Sequence, residues 1–181
     1  QRSEVRDHRY WIQVARELKA NLTPPDQMLL SKLLGMFEAL TAAYPDRPRG
    51  LIHSDLFRDN TLFVGNQLTG ILDFYEMNHD ELLFDVAISI NDFCTEYPSL
   101  ELNEDKAIAF LTAYDAIRRL TDDERACLEI YLAMAAGRFW LMRLRIAAKN
   151  AELGLSGADI LHKNPDDMRN MLINRLKFIT A

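Results

Sequence analysis

The chain has 181 residues, 49% of them hydrophobic and 27% charged, with a formal net charge of −6. Such a composition is typical of a globular protein, and we predict a single domain over residues 1–181. The acidic balance gives no electrostatic support for a nucleic-acid partner. No apolar run approaches the roughly 18 residues of a membrane span. Cys94 and Cys127 lack metal-ligand spacing and a disulfide framework, so we expect a cytoplasmic protein with no membrane partner.

Two amphipathic helices are predicted ahead of residue 50. Apolar residues recur at helical spacing from Glu4 to Lys19, and again from about Pro25 to Ala43. Thr23 is a suitable N-cap for the second helix. The prolines at 45 and 48 end that helix and lead into a strand-like run.

The stretch from 51 to 76 differs from its helical surroundings because its apolar runs are short and broken by turns. Asp55 follows His53 by two positions, Asn60 follows Asp55 by five, and Asp73 closes the next apolar run. Phosphoryl transfer needs a group that orients the attacking hydroxyl and oxygen ligands for magnesium. Asp55 suits the first task, and Asn60 and Asp73 suit the second. Each residue taken alone also fits a turn or capping role.

A β-hairpin supports the chemical interpretation. Gly65 and Asn66 separate two apolar runs, and both residue types tolerate the positive φ of a two-residue turn. Asn60 precedes the first strand and Asp73 follows the second. Because a hairpin brings its two ends together, we predict that Asn60 and Asp73 are neighbours.

The motif also resembles a known family. His53 to Asn60 reads His-Ser-Asp-Leu-Phe-Arg-Asp-Asn and resembles the catalytic loop of protein-kinase-like enzymes, His-x-Asp-x-x-x-x-Asn. Asp-Phe-Tyr-Glu at 73–76 stands where those enzymes have Asp-Phe-Gly, and is similar to the aminoglycoside-phosphotransferase and choline-kinase group. These two motifs, combined with residues 84–93 and 138–144, make the chain similar to bacterial homoserine kinases of that group. The resemblance covers about residues 51–145.

The resemblance implies a role for each matched residue. Asp55 would be the catalytic aspartate, and Asn60 and Asp73 would bind Mg²⁺ and, through it, the co-substrate ATP. His53 would be a structural member of the loop, and Asp85 would start the next helix and brace the loop. The implied reaction transfers the γ-phosphoryl of ATP to a small-molecule alcohol, most specifically to homoserine in threonine biosynthesis.

The chain departs from a complete kinase upstream of residue 51. It has neither a Gly-rich phosphate loop nor a Val-Ala-x-Lys strand there, and it starts at Gln1 rather than at an initiator Met. We therefore expect a mostly α (α+β) fold: the large C-terminal lobe of a kinase-like enzyme with a small β-hairpin, its N-terminal lobe absent and the chain cut from a longer one. The cleft face that such a lobe leaves uncovered is a candidate surface for self-association.

A polar loop and four more helices are expected after Asp73. We predict a loop at 75–81, a helix capped by Asp85 and ending near Glu96, a helix from Glu104 to Arg118 capped by Asn103, a helix from Asp122 to about Asn150 opened by a capping box of Thr121 and Glu124, and a last helix after Asn164.

Three polar residues in this part are candidates for substrate contact. Glu76 lies in the loop, Asp92 suits an ammonium group, and Arg138 suits a carboxylate because a guanidinium fork matches two oxygens. Each also fits an ordinary role as a solvated residue or a member of an ion pair.

Two other functions stay open at this point. In the first, the chain has the same fold but its acceptor is choline, a sugar, methylthioribose or an aminoglycoside. In the second, the chain is a lobe that binds a partner or ligand without catalysis. A carboxylate-binding arginine in the acceptor pocket favours homoserine, whereas clustered acids favour a polycationic drug.

Overall fold

The computed structural model describes residues 7–154 and 163–179. These residues form six α-helices and three two-stranded antiparallel sheets, so the prediction of a mostly helical α+β fold is confirmed. The helices are α1 (His8–Leu18), α2 (Pro24–Ala43), α3 (Leu83–Phe93), α4 (Glu104–Ile117), α5 (Asp122–Glu152) and α6 (Pro165–Leu176). The strands are β1 (Arg49–Ile52), β2 (Thr61–Val64), β3 (Gln67–Ile71), β4 (Asn78–Glu81), β5 (Thr95–Glu96) and β6 (Glu101–Leu102).

The core is built around α5, which packs against α6, α3, α2 and α1. Residues 130–141 of this helix are all buried. Gly137 lies against α2, since a Cβ at this position would stand 2.5 Å from Cδ2 of Leu33. A larger residue here would therefore have to displace the buried side chain of Leu33 from its close-packed position.

Side-chain caps fix where the helices start. The predicted N-caps Thr23 and Asn103 accept hydrogen bonds from backbone N–H groups in the first turns of α2 and α4. The capping box is confirmed as well: Glu124 N donates to Thr121 Oγ1 at 3.1 Å, and Thr121 N donates to Glu124 Oε2 at 2.9 Å. Asp7 caps α1, and the predicted start at Glu4 lies outside the described residues.

Three expectations about the middle of the chain are corrected. Asp85 is not an N-cap, because α3 begins at Leu83 and places Asp85 in its first turn. That helix ends at Phe93, since Thr95–Glu96 pair with Glu101–Leu102 as β5 and β6. The predicted loop at 75–81 contains β4, which pairs with β1 so that Arg49 faces Glu81 and Ile52 faces Asn78.

Ion pairs explain why a polar run forms β4. Asp80 and Glu81 are buried, and the guanidinium groups of Arg47 and Arg49 lie within 3.1–3.5 Å of their carboxylates. These partners come from the strand β1 and the segment before it, so no local pattern in residues 78–81 reveals them. None of the helices in the described ranges is long and apolar enough to cross a membrane.

Candidate active site

The loop that carries Asp55 is fixed to the protein core by Asp85. The loop follows β1, and the N–H groups of His53 and Ser54 donate to the two carboxylate oxygens of Asp85 at 2.6 and 2.7 Å. Ser54 has a left-handed backbone conformation with φ of 67°, which is unfavourable for a serine. The two hydrogen bonds offset this strain. Burial raises the pKa of Asp85, and the same two hydrogen bonds oppose that rise.

His53 links this loop to the segment that carries Asp73. Its Nε2 lies 2.8 Å from the carbonyl oxygen of Leu72, and its Nδ1 lies 3.3 Å from the backbone N–H of Asp55. These partners favour the tautomer with the proton on Nε2, which donates to Leu72 while Nδ1 accepts from Asp55. Both ring nitrogens are thus engaged, which suits a structural link rather than a base.

Asn60 contacts Asp55 directly. Its Nδ2 donates to the carbonyl oxygen of Asp55 at 2.8 Å and to the carboxylate Oδ2 at 3.2 Å. Burial raises the pKa of Asp55, while the charge of Arg138 and the hydrogen bond from Asn60 oppose this rise and the charge of Asp73 adds to it. Asp55 is half-buried. Its carboxylate accepts a hydrogen bond from Asn60 and interacts electrostatically with Arg138 and Asp73.

The predicted hairpin is confirmed. Strands β2 and β3 pair from Thr61 and Ile71 to Val64 and Gln67, with Gly65 at φ 59° in the turn. The N–H of Leu72 donates to the carbonyl oxygen of Asn60 at 2.9 Å. The hairpin thus brings Asn60 beside the residue that precedes Asp73, as the turn chemistry predicts.

Asn60 and Asp73 both present oxygen atoms suited to Mg²⁺. Asn60 donates through its Nδ2, and within residues 7–154 and 163–179 no donor contacts its Oδ1 or the carboxylate of Asp73. Asp73 has φ 59° and is exposed. The described residues contain no group of three or more His, Cys, Asp or Glu that could hold a metal. Mg²⁺ commonly binds one or two protein oxygens together with substrate phosphates, and this pair fits that pattern.

Arg138 lies behind the loop rather than at its surface. It is 2% exposed, and its guanidinium lies 5.2 Å from the ring centres of both Trp11 and Phe139. Burial lowers the pKa of Arg138, and the nearby charges of Glu76, Asp55, Asp80 and Asp85 oppose this effect. The Nε and Nη2 atoms of Arg138 are buried and have no hydrogen-bond partner among the described residues. This burial among acids suits a counterion, and contact with a substrate carboxylate stays a prediction. Glu76, in the short 3₁₀ turn after Asp73, is half-buried on the same side.

Asp92 holds the turn that contains Asn60. Its Oδ2 accepts hydrogen bonds from the backbone N of Arg58 at 2.7 Å and from Nε of Arg58 at 3.0 Å. The carboxylate also lines a surface cleft with Tyr97. Its role toward a substrate ammonium stays a prediction. Arg58 already occupies one of the two carboxylate oxygens, Oδ2.

Sequence reasoning missed a second group of residues beside Asp55. A cleft of about 260 Å³ runs from Asp55 along α5, with Arg143 and Lys163 on its walls. Its other lining residues are apolar: Phe57, Phe139, Met142, Ile146 and Ala147. Lys163 belongs to no motif and lies far from Asp55 along the chain. The apolar residues at helical spacing along α5 could have indicated this cleft, but the same pattern is equally typical of a helix face that packs in the core.

Comparisons with known proteins agree with this geometry. The model of the APH family, described as a phosphotransferase enzyme family, matches residues 1–120. The chain belongs to this phosphotransferase family. Within it, the chain is 38% identical over 146 residues to a protein named homoserine kinase from Polaromonas naphthalenivorans, covering 80% of this chain. A homoserine kinase from Pseudomonas aeruginosa is 39% identical over 163 residues, which is 88% of this chain.

The chain spans about half the length of these relatives, 46% of the first and 50% of the second. Among solved structures, the ethanolamine kinase of Plasmodium vivax superposes on 92% of this chain and 47% of its own, with a TM-score of 0.56 and 14% identity. At that identity the likeness concerns the fold alone, and it confirms the predicted kinase-like architecture.

Proposed function

We propose that the chain provides the catalytic lobe of an ATP-dependent homoserine kinase. The observation that carries the proposal is the convergence of Asp55, Asn60 and the end of the β2–β3 hairpin, which unites the hydroxyl-orienting carboxylate with two oxygens suited to Mg²⁺. The names of the relatives at 38–39% identity support the choice of homoserine as acceptor.

In this proposal Asp55 orients the acceptor hydroxyl and accepts its proton as the new oxygen–phosphorus bond forms and the bond between the γ-phosphorus and the departing ADP breaks. The amide of Asn60 fixes the carboxylate orientation of Asp55, and His53 and Asp85 fix the backbone of the loop. Mg²⁺, held by Asn60 and Asp73, would neutralise charge on the phosphates of ATP. The product would be O-phospho-homoserine, on the route to threonine.

The test measures ADP release from Mg-ATP by the complete gene product. Homoserine should stimulate release, while choline, ethanolamine, a sugar and an aminoglycoside at equal concentration should not. Preference for one of the other alcohols would contradict homoserine as acceptor and retain the reaction type. ADP release that no alcohol stimulates would contradict the proposed function as a whole.

A further inference from the structure

The cleft beside Asp55 combines an apolar lining with two cationic side chains. Phe57 and Phe139 form part of its apolar wall, their rings 4.7 Å apart in an edge-to-face arrangement. Arg143 and Lys163 are its cations, and Asp55 stands at its edge. An acceptor whose hydroxyl reaches Asp55 therefore has the rest of its body near two positive charges.

Arg143 has donors that the protein leaves unused. Its side chain is 11% exposed, and its Nη1 donates to the carbonyl oxygen of Asn164 at 2.7 Å and lies 3.7 Å from Oδ2 of Asp167. In the part of the chain that the structure describes, no hydrogen bond engages its Nε or Nη2. Burial lowers the pKa of Arg143. A pre-positioned guanidinium with spare donors beside an apolar wall suits a carboxylate.

Lys163 adds a second charge that is easily redirected. Its Nζ lies 5.7 Å from the ring centre of Phe57 and 3.6 Å from Oδ2 of Asp59. The side chains of this ion pair are 52% and 81% exposed, and such surface pairs contribute little stability. Exchanging Asp59 for a ligand carboxylate therefore costs little. The charge of Lys163 already reaches Asp55, where it opposes the rise in the carboxyl pKa that burial causes.

We propose that Arg143, assisted by Lys163, binds the carboxylate of the acceptor and so selects hydroxylated amino acids over simple amino alcohols. The proposal rests on the proposed function and names the group that recognises its substrate. A second cleft shares Arg143 and Lys163 with the first and adds the carboxylates of Asp59, Asp92 and Asp167. A ligand with a carboxylate and an ammonium group on one carbon would fit where the two clefts join. Its carboxylate would lie near Arg143 and Lys163, and its ammonium group near the aspartates.

Three alcohols distinguish the contributions of the acceptor's carboxylate and ammonium groups to binding. Homoserine has both charges, 4-hydroxybutanoate lacks the ammonium group, and 3-aminopropan-1-ol lacks the carboxylate. Binding of each to the complete gene product is measured by calorimetry for the wild type, Arg143→Met and Lys163→Met. The matched control is Arg16→Met, which alters an exposed ion pair with Glu38.

Arg143→Met should weaken binding of homoserine and 4-hydroxybutanoate about 10- to 100-fold, as expected for loss of a charged hydrogen-bonded pair. Binding of 3-aminopropan-1-ol and the KM for ATP should stay unchanged. Lys163→Met should act in the same direction with a smaller effect. Circular dichroism verifies folding, and Lys163→Met carries the test if loss of the bond to Asn164 unfolds the other variant.

Equal affinity of the wild type for homoserine and 3-aminopropan-1-ol would overturn the proposal. Affinities for the two carboxylates that neither variant changes would also overturn it, as would a raised KM for ATP with unchanged homoserine binding. Failure of the proposed function looks different: carboxylates bind through Arg143, but homoserine is not phosphorylated.

Discussion

At the scale of single residues, the loop that carries Asp55 depends on one carboxylate that braces it and one guanidinium that balances its charge. Asp85 accepts the two backbone hydrogen bonds that hold Ser54 in its left-handed conformation. Arg138 offsets the desolvation of both Asp55 and Asp85 without contacting solvent.

Replacing Arg138 by Met tests this electrostatic role. Methionine preserves much of the packing between Trp11 and Phe139 but removes the charge, so the pKa of Asp55 should rise further. The ionised fraction of Asp55 at a given pH then falls, and the acid limb of the kcat/KM profile should move to higher pH. The profile of the complete gene product is measured with homoserine between about pH 5 and 9.

The control for this prediction is Arg145→Met, which removes an exposed arginine from the same helix. It should leave the acid limb where it is. If Arg138→Met lowers activity equally at every pH, Arg138 acts through packing alone and the electrostatic role is wrong.

At the scale of elements, local signals in the sequence predicted the helices, the strand-like run of β1 and the hairpin, but not β4, β5 and β6. Caps such as Thr23 and Thr121 act within one turn, and Gly65 acts within one hairpin, so their patterns are visible in a short window. The pairing of β4 depends on arginines about 30 residues upstream. Lys163 reaches Phe57 only through the packing of α5 and α6.

Asp80 joins α1 to the β1–β4 sheet and makes stability dependent on pH. The backbone N and the Nδ1 of His8 both lie 2.8 Å from its carboxylate oxygens. Burial alone would raise the pKa of Asp80, but the hydrogen bonds and charge of His8, together with the backbone hydrogen bond from Glu81, outweigh burial and lower the pKa. A lowered carboxyl pKa contributes stability above about pH 4, and this contribution is lost as the pH falls through the folded-state pKa.

Asp80→Asn should therefore lower the free energy of unfolding at pH 7 by about 1–3 kcal/mol. The difference from the wild type should shrink as the pH falls below about 4. Urea unfolding at several pH values measures both quantities, with Asp105→Asn at the exposed start of α4 as control. A difference that does not change with pH would mean that the ion pair contributes nothing.

At the scale of the whole molecule, the face around the hairpin exposes apolar side chains that a soluble surface rarely carries together. The exposed set on and beside β2 and β3 comprises Leu62, Phe63, Val64, Leu68, Ile71, Leu72 and Phe74. Patches of this kind usually meet another surface. Self-association of residues 1–181 through this face stays a prediction, which a monomer at every concentration in sedimentation would contradict.

The central claim is that Asp55 performs the catalytic step. Asp55→Asn keeps the shape of the side chain and removes its basicity, so turnover with homoserine should fall about 100- to 10,000-fold in the complete gene product. ATP binding, measured by calorimetry, should be nearly unchanged, and Asp105→Asn should retain full turnover. If Asp55→Asn keeps turnover close to that of the wild type, Asp55 is not the catalytic aspartate and the account is wrong.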